Sequence, residues 1–380
     1  MNSWNKKINK ISHLFETQFD KLCYQLKRKM GYDQPLQIVP YTSYGNRTTL
    51  YLRGRVFEQR NDGNDANVDK RDENSFWDNL LKSYQRFESD EVPNVLLTAC
   101  FGNTTMETKT DEEGYFSFNL PVTQPLGDAE LWHTITLTIP LQSHLQAPLS
   151  KAVTAQVMIP AANCRFGIIS DIDDTIMITK AKHLLAMAKL TFLHSPNMRL
   201  SFLGVSAFYR ALESSGNYLR PFFYVSSSPW NLYDFLVEFM RLNQIPKGAL
   251  LLRDYGLEAD HFFQSSHRKH KLSQIMHVMD TYPMMSFLLI GDSGQHDPEI
   301  YAEIVATRAH QVRAIYIRDV SSSQQRDEEV RLLSKQTKLH NIDLLLVADT
   351  YAAAEHAVQQ GFITPEKLEL IREDIRKDKA

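Results

Sequence analysis

Three rhythms of apolar and polar positions follow one another along the chain. In residues 1–30, Trp4, Ile8, Ile11, Phe15, Phe19, Leu22 and Leu26 recur at steps of three and four, the spacing of a single helical stripe. From about 36 to 160 short alternating runs take over. Residues 48–56 (TTLYLRGRV), 94–100, 115–120 and 131–139 predict strands, with the polar turn Asp111-Glu112-Glu113-Gly114 before one of them. A polar stretch at 59–74 predicts a loop and 77–87 a short helix. We expect a small β-sandwich here, with a scaffolding or docking role because no cluster of catalytic side chains falls within it.

After Ala161 apolar runs appear without alternation, at 166–170, 222–225, 249–252, 287–290, 312–317 and 344–347. Helical patterns such as 231–242 and 271–279 separate them. Strands buried on both faces and alternating with helices predict a Rossmann-like parallel sheet covered by helices on either side. In such a sheet, function sits just beyond the carboxyl ends of the strands. The residues there are Asp171, Ser226, Asp254 and Asp292.

The first of these strands ends in Ser170-Asp171-Ile172-Asp173-Asp174-Thr175. Carboxylates crowded at a strand end repel one another, which a bound cation relieves. Asp171 and Asp173 lie two residues apart, so in extended chain they face one side. A carboxylate facing Mg²⁺ can attack phosphorus, and a second can protonate the departing alcohol and then deprotonate water. Such an acidic turn is also commonly just solvated or a helix cap, so the other strand ends decide.

The next strand runs into Ser226-Ser227-Ser228-Pro229-Trp230. Ser228 and Pro229 suit the N-cap and first position of a helix, which leaves the Ser226 hydroxyl at the mouth of the sheet for phosphate oxygens. His267-Arg268-Lys269-His270-Lys271 then reads as the opening of a helix. Cations there oppose the helix dipole, which suggests a task at the site. Lys271 is our choice for it, with Lys269 as the alternative. The motif Gly291-Asp292-Ser293-Gly294-Gln295-His296-Asp297 offers two aspartates for an oxygen-only Mg²⁺ shell. Gly-Asp-Ser-Gly also matches the nucleophile turn of chymotrypsin-like proteases. That fold is all-β and rich in disulfides, whereas this motif lies between strand and helix in a cysteine-poor chain. His267, His270 and His296 suit Mg²⁺ poorly and are read as polar rim, and Arg253-Asp254-Tyr255-Gly256 as structural pairing.

Composition narrows the classes. The 380 residues carry a formal net charge of −3, which makes no case for a nucleic-acid partner. Length allows two or three domains at ~150 residues each. Cys23, Cys100 and Cys164 are odd in number and without C-x-x-C spacing, against a disulfide framework or structural zinc site and for a reducing compartment. No apolar run approaches the ~18 residues that cross a bilayer, and the polar N-terminus is not a secretory signal. We therefore expect a cytoplasmic protein, and the sequence is silent on oligomeric state. The N-terminal stripe is flanked by Lys6, Lys7, Lys10, Lys21, Lys27, Arg28 and Lys29 against Glu16 and Asp20. It can dock on protein, or lie on an anionic membrane and make the protein peripheral to it.

The four motifs, SDIDDTIMIT, FFYVSSSPWNLY, HKLSQI and LLIGDSGQHDPEIYAEI, resemble in order and spacing the haloacid dehalogenase superfamily of phosphohydrolases. More specifically they resemble the actin-patch type of phosphatidate phosphatase, similar in motif to lipins, over residues 165–320. The resemblance implies a haloacid dehalogenase-like α/β domain with a minimal cap. It also implies Asp171 as nucleophile, Asp173 as acid/base, Thr175 orienting them, Ser226 on the phosphoryl group and Lys271 neutralising charge. Asp171, the Asp173 carbonyl, Asp292 and Asp297 would hold Mg²⁺.

We thus expect a basic amphipathic helix at 1–33, a β-sandwich at 34–160, a phosphatase domain at 161–350 and a C-terminal helical tail at 351–380, whose alternating charges at 366–379 predict a solvated face. About fifty residues separate Thr175 from Ser226, room for a flap and two helices but not a large cap. Within them 183–193 (HLLAMAKLTFL) is apolar enough to rest on acyl chains, or simply to be core. The expected activity is Mg²⁺-dependent hydrolysis of a lipid phosphate such as phosphatidate. A phosphatase for soluble phosphoproteins or metabolites, and a non-catalytic binding module of the same fold, are the alternatives.

Overall fold

The computed structural model describes residues 36–58, 92–140, 152–178, 201–216, 218–253 and 263–379. The expected helix at 1–33, the polar loop at 59–74, the short helix at 77–87, the apolar segment at 183–193 and Asp254 lie outside them.

Eight strands form one hydrogen-bonded network in the first part of the chain. They are β1 (Leu36–Pro40), β2 (Ser43–Gly45), β3 (Thr49–Glu58), β4 (Leu96–Phe101), β5 (Thr104–Lys109), β6 (Tyr115–Pro121), β7 (Trp132–Thr138) and β8 (Val153–Met158). The order is β1-β3-β2-β8-β7-β4-β5, and β6 also pairs with β3. Its pairings are antiparallel except β2 with β8. Alternation does its work in β6, where Phe116, Phe118 and Leu120 turn inward while Ser117 and Asn119 face water. They meet Leu50, Leu52, Leu97, Ile135, Leu137, Ala155 and Val157 in a core of their own.

The second sheet is β9 (Phe166–Ser170), β10 (Phe222–Pro229), β11 (Ala249–Arg253), β12 (Ser286–Asp292), β13 (Val312–Arg318) and β14 (Asp343–Val347). All five pairings are parallel, in the order β11-β10-β9-β12-β13-β14. Its helices are α1 (Val205–Glu213), α2 (Tyr233–Leu242), α3 (Phe263–Thr281), α4 (Asp297–Arg308), α5 (Gln324–Lys338), α6 (Thr350–Gln359) and α7 (Pro365–Lys379). The apolar runs hide a period of two. Ile168, Phe222, Tyr224, Leu288 and Ile290 face α1, α2, α6 and α7. Their neighbours Ile169, Phe223, Val225, Phe287 and Leu289 face α3, α4 and α5. The strand order reverses between β9 and β12, which makes a crevice at their carboxyl ends.

Three local expectations fail. Pro229, not Ser228, is the N-cap residue before α2, and it caps a 3-10 turn at Trp230–Leu232, because β10 continues through Ser226-Ser227-Ser228 to Pro229. The basic run 267–271 does not open a helix, because α3 begins at Phe263; the dipole argument for a cation there does not hold. Finally, α7 is not merely solvated. Leu368, Ile371 and Ile375 form a stripe that packs into the core with α1, and the Asp378 carboxylate accepts the Gly204 N–H at 3.0 Å.

The two sheets meet through residues 41–46. Tyr41 stacks on Trp230 with ring centroids 4.2 Å apart, a contact worth about 0.5–1.5 kcal/mol beyond its buried area. The Tyr233 hydroxyl accepts the Thr42 N–H at 2.7 Å, and the Tyr282 hydroxyl donates to the Gly45 carbonyl at 2.8 Å. The β-rich unit therefore braces the segment that follows Ser226.

Candidate active site

Register brings the strand-end motifs together. Ser170 pairs with Tyr224 on one side and Ile290 on the other. Asp171 therefore leaves β9 between Ser226 and Asp292, each two residues beyond its partner. The Asp171 N–H donates to the Ile290 carbonyl at 2.9 Å. The chain then turns back on itself, with the amides of Thr175, Ile176 and Met177 all donating to the Ile172 carbonyl. This turn lets the Thr175 hydroxyl donate to Asp171 Oδ2 at 3.3 Å.

Lys271 projects from the third turn of α3 into the centre of the crevice. Its Nζ lies 2.7 Å from Asp171 Oδ1 and 2.7 Å from Asp297 Oδ1, and all three side chains are buried. Lys269, the alternative, is exposed, whereas Lys271 is buried against the two carboxylates. Asp297 begins α4, where its other oxygen accepts the Asp292 N–H at 3.2 Å. A side chain at 291 would not permit this approach: a Cβ there would lie 2.6 Å from Asp297, hence glycine.

Asp292 is held from one side only. Its Oδ1 accepts the N–H groups of Gly294 at 2.7 Å and Gln295 at 3.0 Å. Its Oδ2 is buried with no hydrogen-bond partner among the described residues. Asp171, Asp292 and Asp297 each present one carboxylate oxygen, all within 4.8 Å of one another. Hard oxygen donors gathered this closely, one of them left without a hydrogen bond, fit a divalent cation. Burial raises the Asp171 carboxyl well above its ordinary value; Lys271 opposes this, while Asp297, Asp292 and Asp173 add to it. Burial and then Asp297 push Asp292 up to about 8. For Lys271, burial disfavours the charge, but Asp171 and Asp297 outweigh it and keep the lysine protonated.

Asp173 turns away from this cluster. Its Oδ2 accepts the Ser226 hydroxyl at 2.7 Å and the Ser228 hydroxyl at 3.2 Å, and the Ser228 N–H donates to Ser226 Oγ at 2.9 Å. Burial raises the Asp173 carboxyl, against the pull of the Ser226 bond, Lys271 and the Ser228 bond. Its backbone carbonyl accepts the Gln295 side-chain amide at 3.4 Å.

The motif residues thus converge on one crevice, with roles for Ser228 and Gln295 that their positions in the sequence do not announce. Ser228, expected to be a cap, instead holds Asp173. Gln295 reaches both the Asp173 carbonyl and, at 3.4 Å, Lys271 Nζ. Ser293 is buried, and its hydroxyl accepts the N–H groups of Val320 and Ser321 at 3.0 and 3.2 Å. It ties two loops together and has no imidazole beside it among its described partners, so the protease reading falls. His296 is exposed, in keeping with a rim position.

Residues 166–319 match the family model for the catalytic domain of phosphatidate phosphatase APP1. The similarity is to an APP1-type catalytic domain and covers less than half of this chain. Phosphatidate phosphatase APP1 of Saccharomyces cerevisiae is 32% identical over 201 residues, covering 52% of this chain and 33% of the yeast protein. An uncharacterized protein of Schizosaccharomyces pombe is 28% identical over 276 residues, 71% of this chain and 44% of that one. The chain thus spans less than half the length of these curated relatives. Among solved structures, the PilB minor pilin from Streptococcus sanguinis superposes on 74% of this chain and 88% of its own at 10% identity. Its TM-score of 0.27 is too low to carry any argument about this chain. No helix among the described residues is long and apolar enough to cross a membrane.

Proposed function

We propose that the protein hydrolyses a lipid phosphate monoester such as phosphatidate, through an aspartyl-phosphate on Asp171, with Mg²⁺ held by Asp171, Asp292, Asp297 and the Asp173 carbonyl. The observation that carries the chemistry is Lys271 bridging Asp171 and Asp297 beside the unpartnered Oδ2 of Asp292. When bound, the divalent cation supplies positive charge to the phosphoryl oxygens.

Asp171, oriented by Thr175, attacks phosphorus, and the bond from phosphorus to the alcohol oxygen breaks. Asp173 is raised by burial and so can hold a proton, which it gives to that oxygen, releasing diacylglycerol. It then takes a proton from water, whose oxygen attacks phosphorus; the bond to Asp171 breaks and phosphate leaves. Lys271 stays charged throughout and offsets the negative charge gathered on Asp171 and the phosphoryl group. Ser226 donates to a phosphoryl oxygen, which requires Asp173 to give up its bond to that hydroxyl and swing toward the leaving group.

We read the domain as haloacid dehalogenase-like with a minimal cap, spanning 161–350 behind a β-sandwich at 34–160. Peripheral contact of residues 1–30 with an anionic membrane face is supported by their apolar stripe and its basic flanks. The lipid substrate rests on the family match and is tested with the full chain and Mg²⁺. Phosphate release is expected to be faster from phosphatidate in mixed liposomes than from sugar phosphates or phosphopeptides at equal concentration. Equal or faster turnover of the soluble esters would replace the lipid by a soluble substrate.

A further inference from the structure

Outside the four motifs, one side chain is joined to the candidate metal loop by more than proximity. Arg326 lies in the first turn of α5, behind the N-cap Ser323, and its side chain is 17% exposed. Its Nε donates to the Ser293 carbonyl at 2.7 Å, and its Nη2 donates to the Gln295 carbonyl at 2.7 Å and to Glu299 Oε2 at 3.0 Å. Its Nη1 donates to Glu299 Oε1 and, at 3.1 Å, to Glu329 Oε2. A guanidinium has five N–H donors in a fixed plane, and each of the five has an acceptor here.

The two carbonyls it holds flank Gly294. The N–H groups of Gly294 and Gln295 are those that fix Asp292 Oδ1. The Gln295 side chain is the one that reaches Lys271 and the Asp173 carbonyl. Gly294 also has little room to shift, since a Cβ there would lie 3.1 Å from both Asp292 Oδ1 and Val320. Arg326 therefore acts on the site through the backbone between Asp292 and Asp297, while Glu299 in the first turn of α4 fixes the plane of the guanidinium.

We infer that Arg326 is a positioning residue for the divalent cation: by clamping the loop at 293–295 it turns Asp292 so that one oxygen is taken by amides and the other is left for metal. This rests on the functional reading above. Lysine does not replace it, because a single ammonium cannot span two carbonyls and a carboxylate in one plane.

The test is Mn²⁺ binding to the full chain, followed by the loss of the free-ion electron paramagnetic resonance signal, a readout independent of turnover. R326Q is expected to bind Mn²⁺ about 10- to 100-fold more weakly than wild type, the usual cost of removing a partner behind a metal ligand. E329Q, which removes only the charge of an exposed acceptor, is expected to bind as wild type. R326K covers the case in which R326Q does not fold, and is expected to be weakened as well. If the folded Arg326 variant lowers the melting temperature of the metal-free protein yet binds Mn²⁺ like wild type, Arg326 merely joins α5 to α4 and the inference is overturned. Wild-type protein that binds no Mn²⁺ would overturn the phosphatase reading and this inference with it.

Discussion

Asp171→Asn is expected to abolish Mg²⁺-dependent phosphate release, by on the order of 10⁴-fold or more, while the protein stays folded. An amide of the same shape still accepts from Thr175 but has no oxygen that attacks phosphorus. Folding should survive for an electrostatic reason. Burial first, and then Asp297, Asp292 and Asp173, disfavour the charged Asp171 carboxylate, so losing that negative charge relieves both. Lys271 keeps Asp297 as a partner at 2.7 Å. Thermal melts of the metal-free variant close to wild type, with phosphate release at background, are the expected pair of results. Retained activity would remove Asp171 from the reaction.

Lys271→Met is expected to cost both activity and stability, which separates it from the first variant. The side chain fits by size, but Asp171 and Asp297 are then buried without the ammonium that lies 2.7 Å from each. Removing one partner from a buried ion pair costs about 3–5 kcal/mol. Phosphate release should fall roughly 10²- to 10³-fold, the range for losing one preorganised charge contact in a transition state. The double variant Lys271→Met with Asp297→Asn should recover part of the stability and none of the activity. Urea unfolding of the metal-free proteins, beside phosphate release with Mg²⁺, measures both. A Lys271→Met protein as stable as wild type would mean that the buried carboxylates do not depend on the lysine.

The contrast between these variants follows from what the sequence makes visible. Each strand of the parallel sheet is buried on both faces, so it appears as an uninterrupted apolar run, and its end is marked where polar residues begin. That alone marks Asp171 and Asp292 at strand ends and Ser226 where the apolar run of β10 gives way to its polar continuation, and parallel register brings them side by side. The strands of the first sheet were less legible. β5 (TTMETK) is mostly exposed and carries little apolar alternation, and β2 is three residues long. The start of α3 has no signal in the sequence because 264–271 is polar and shows no stripe. The dipole argument for Lys271 does not apply, and Lys271 reaches Asp171 because it sits a full two turns inside the helix.

Other parts of the site had no linear signal. Ser228 reads as a cap in sequence, and only the continuation of β10 turns its hydroxyl toward Asp173. Tyr41 and Trp230 are far apart along the chain, and nothing in either segment names the other. Arg326 lies beyond the last motif, on a helix whose sequence is mainly polar, and its contacts to the carbonyls of Ser293 and Gln295 are to backbone, which carries no residue identity. Chemistry held by side chains at strand ends leaves a pattern in the sequence; chemistry held through main-chain contacts from elsewhere does not.

The most direct measurement is to stop turnover of phosphate-labelled phosphatidate with acid within the first reaction cycle, digest the protein and locate the label. The account predicts an acid-stable, hydroxylamine-sensitive phosphoryl group on the peptide carrying Asp171, absent from the Asp171→Asn protein. Label on any other residue would contradict it.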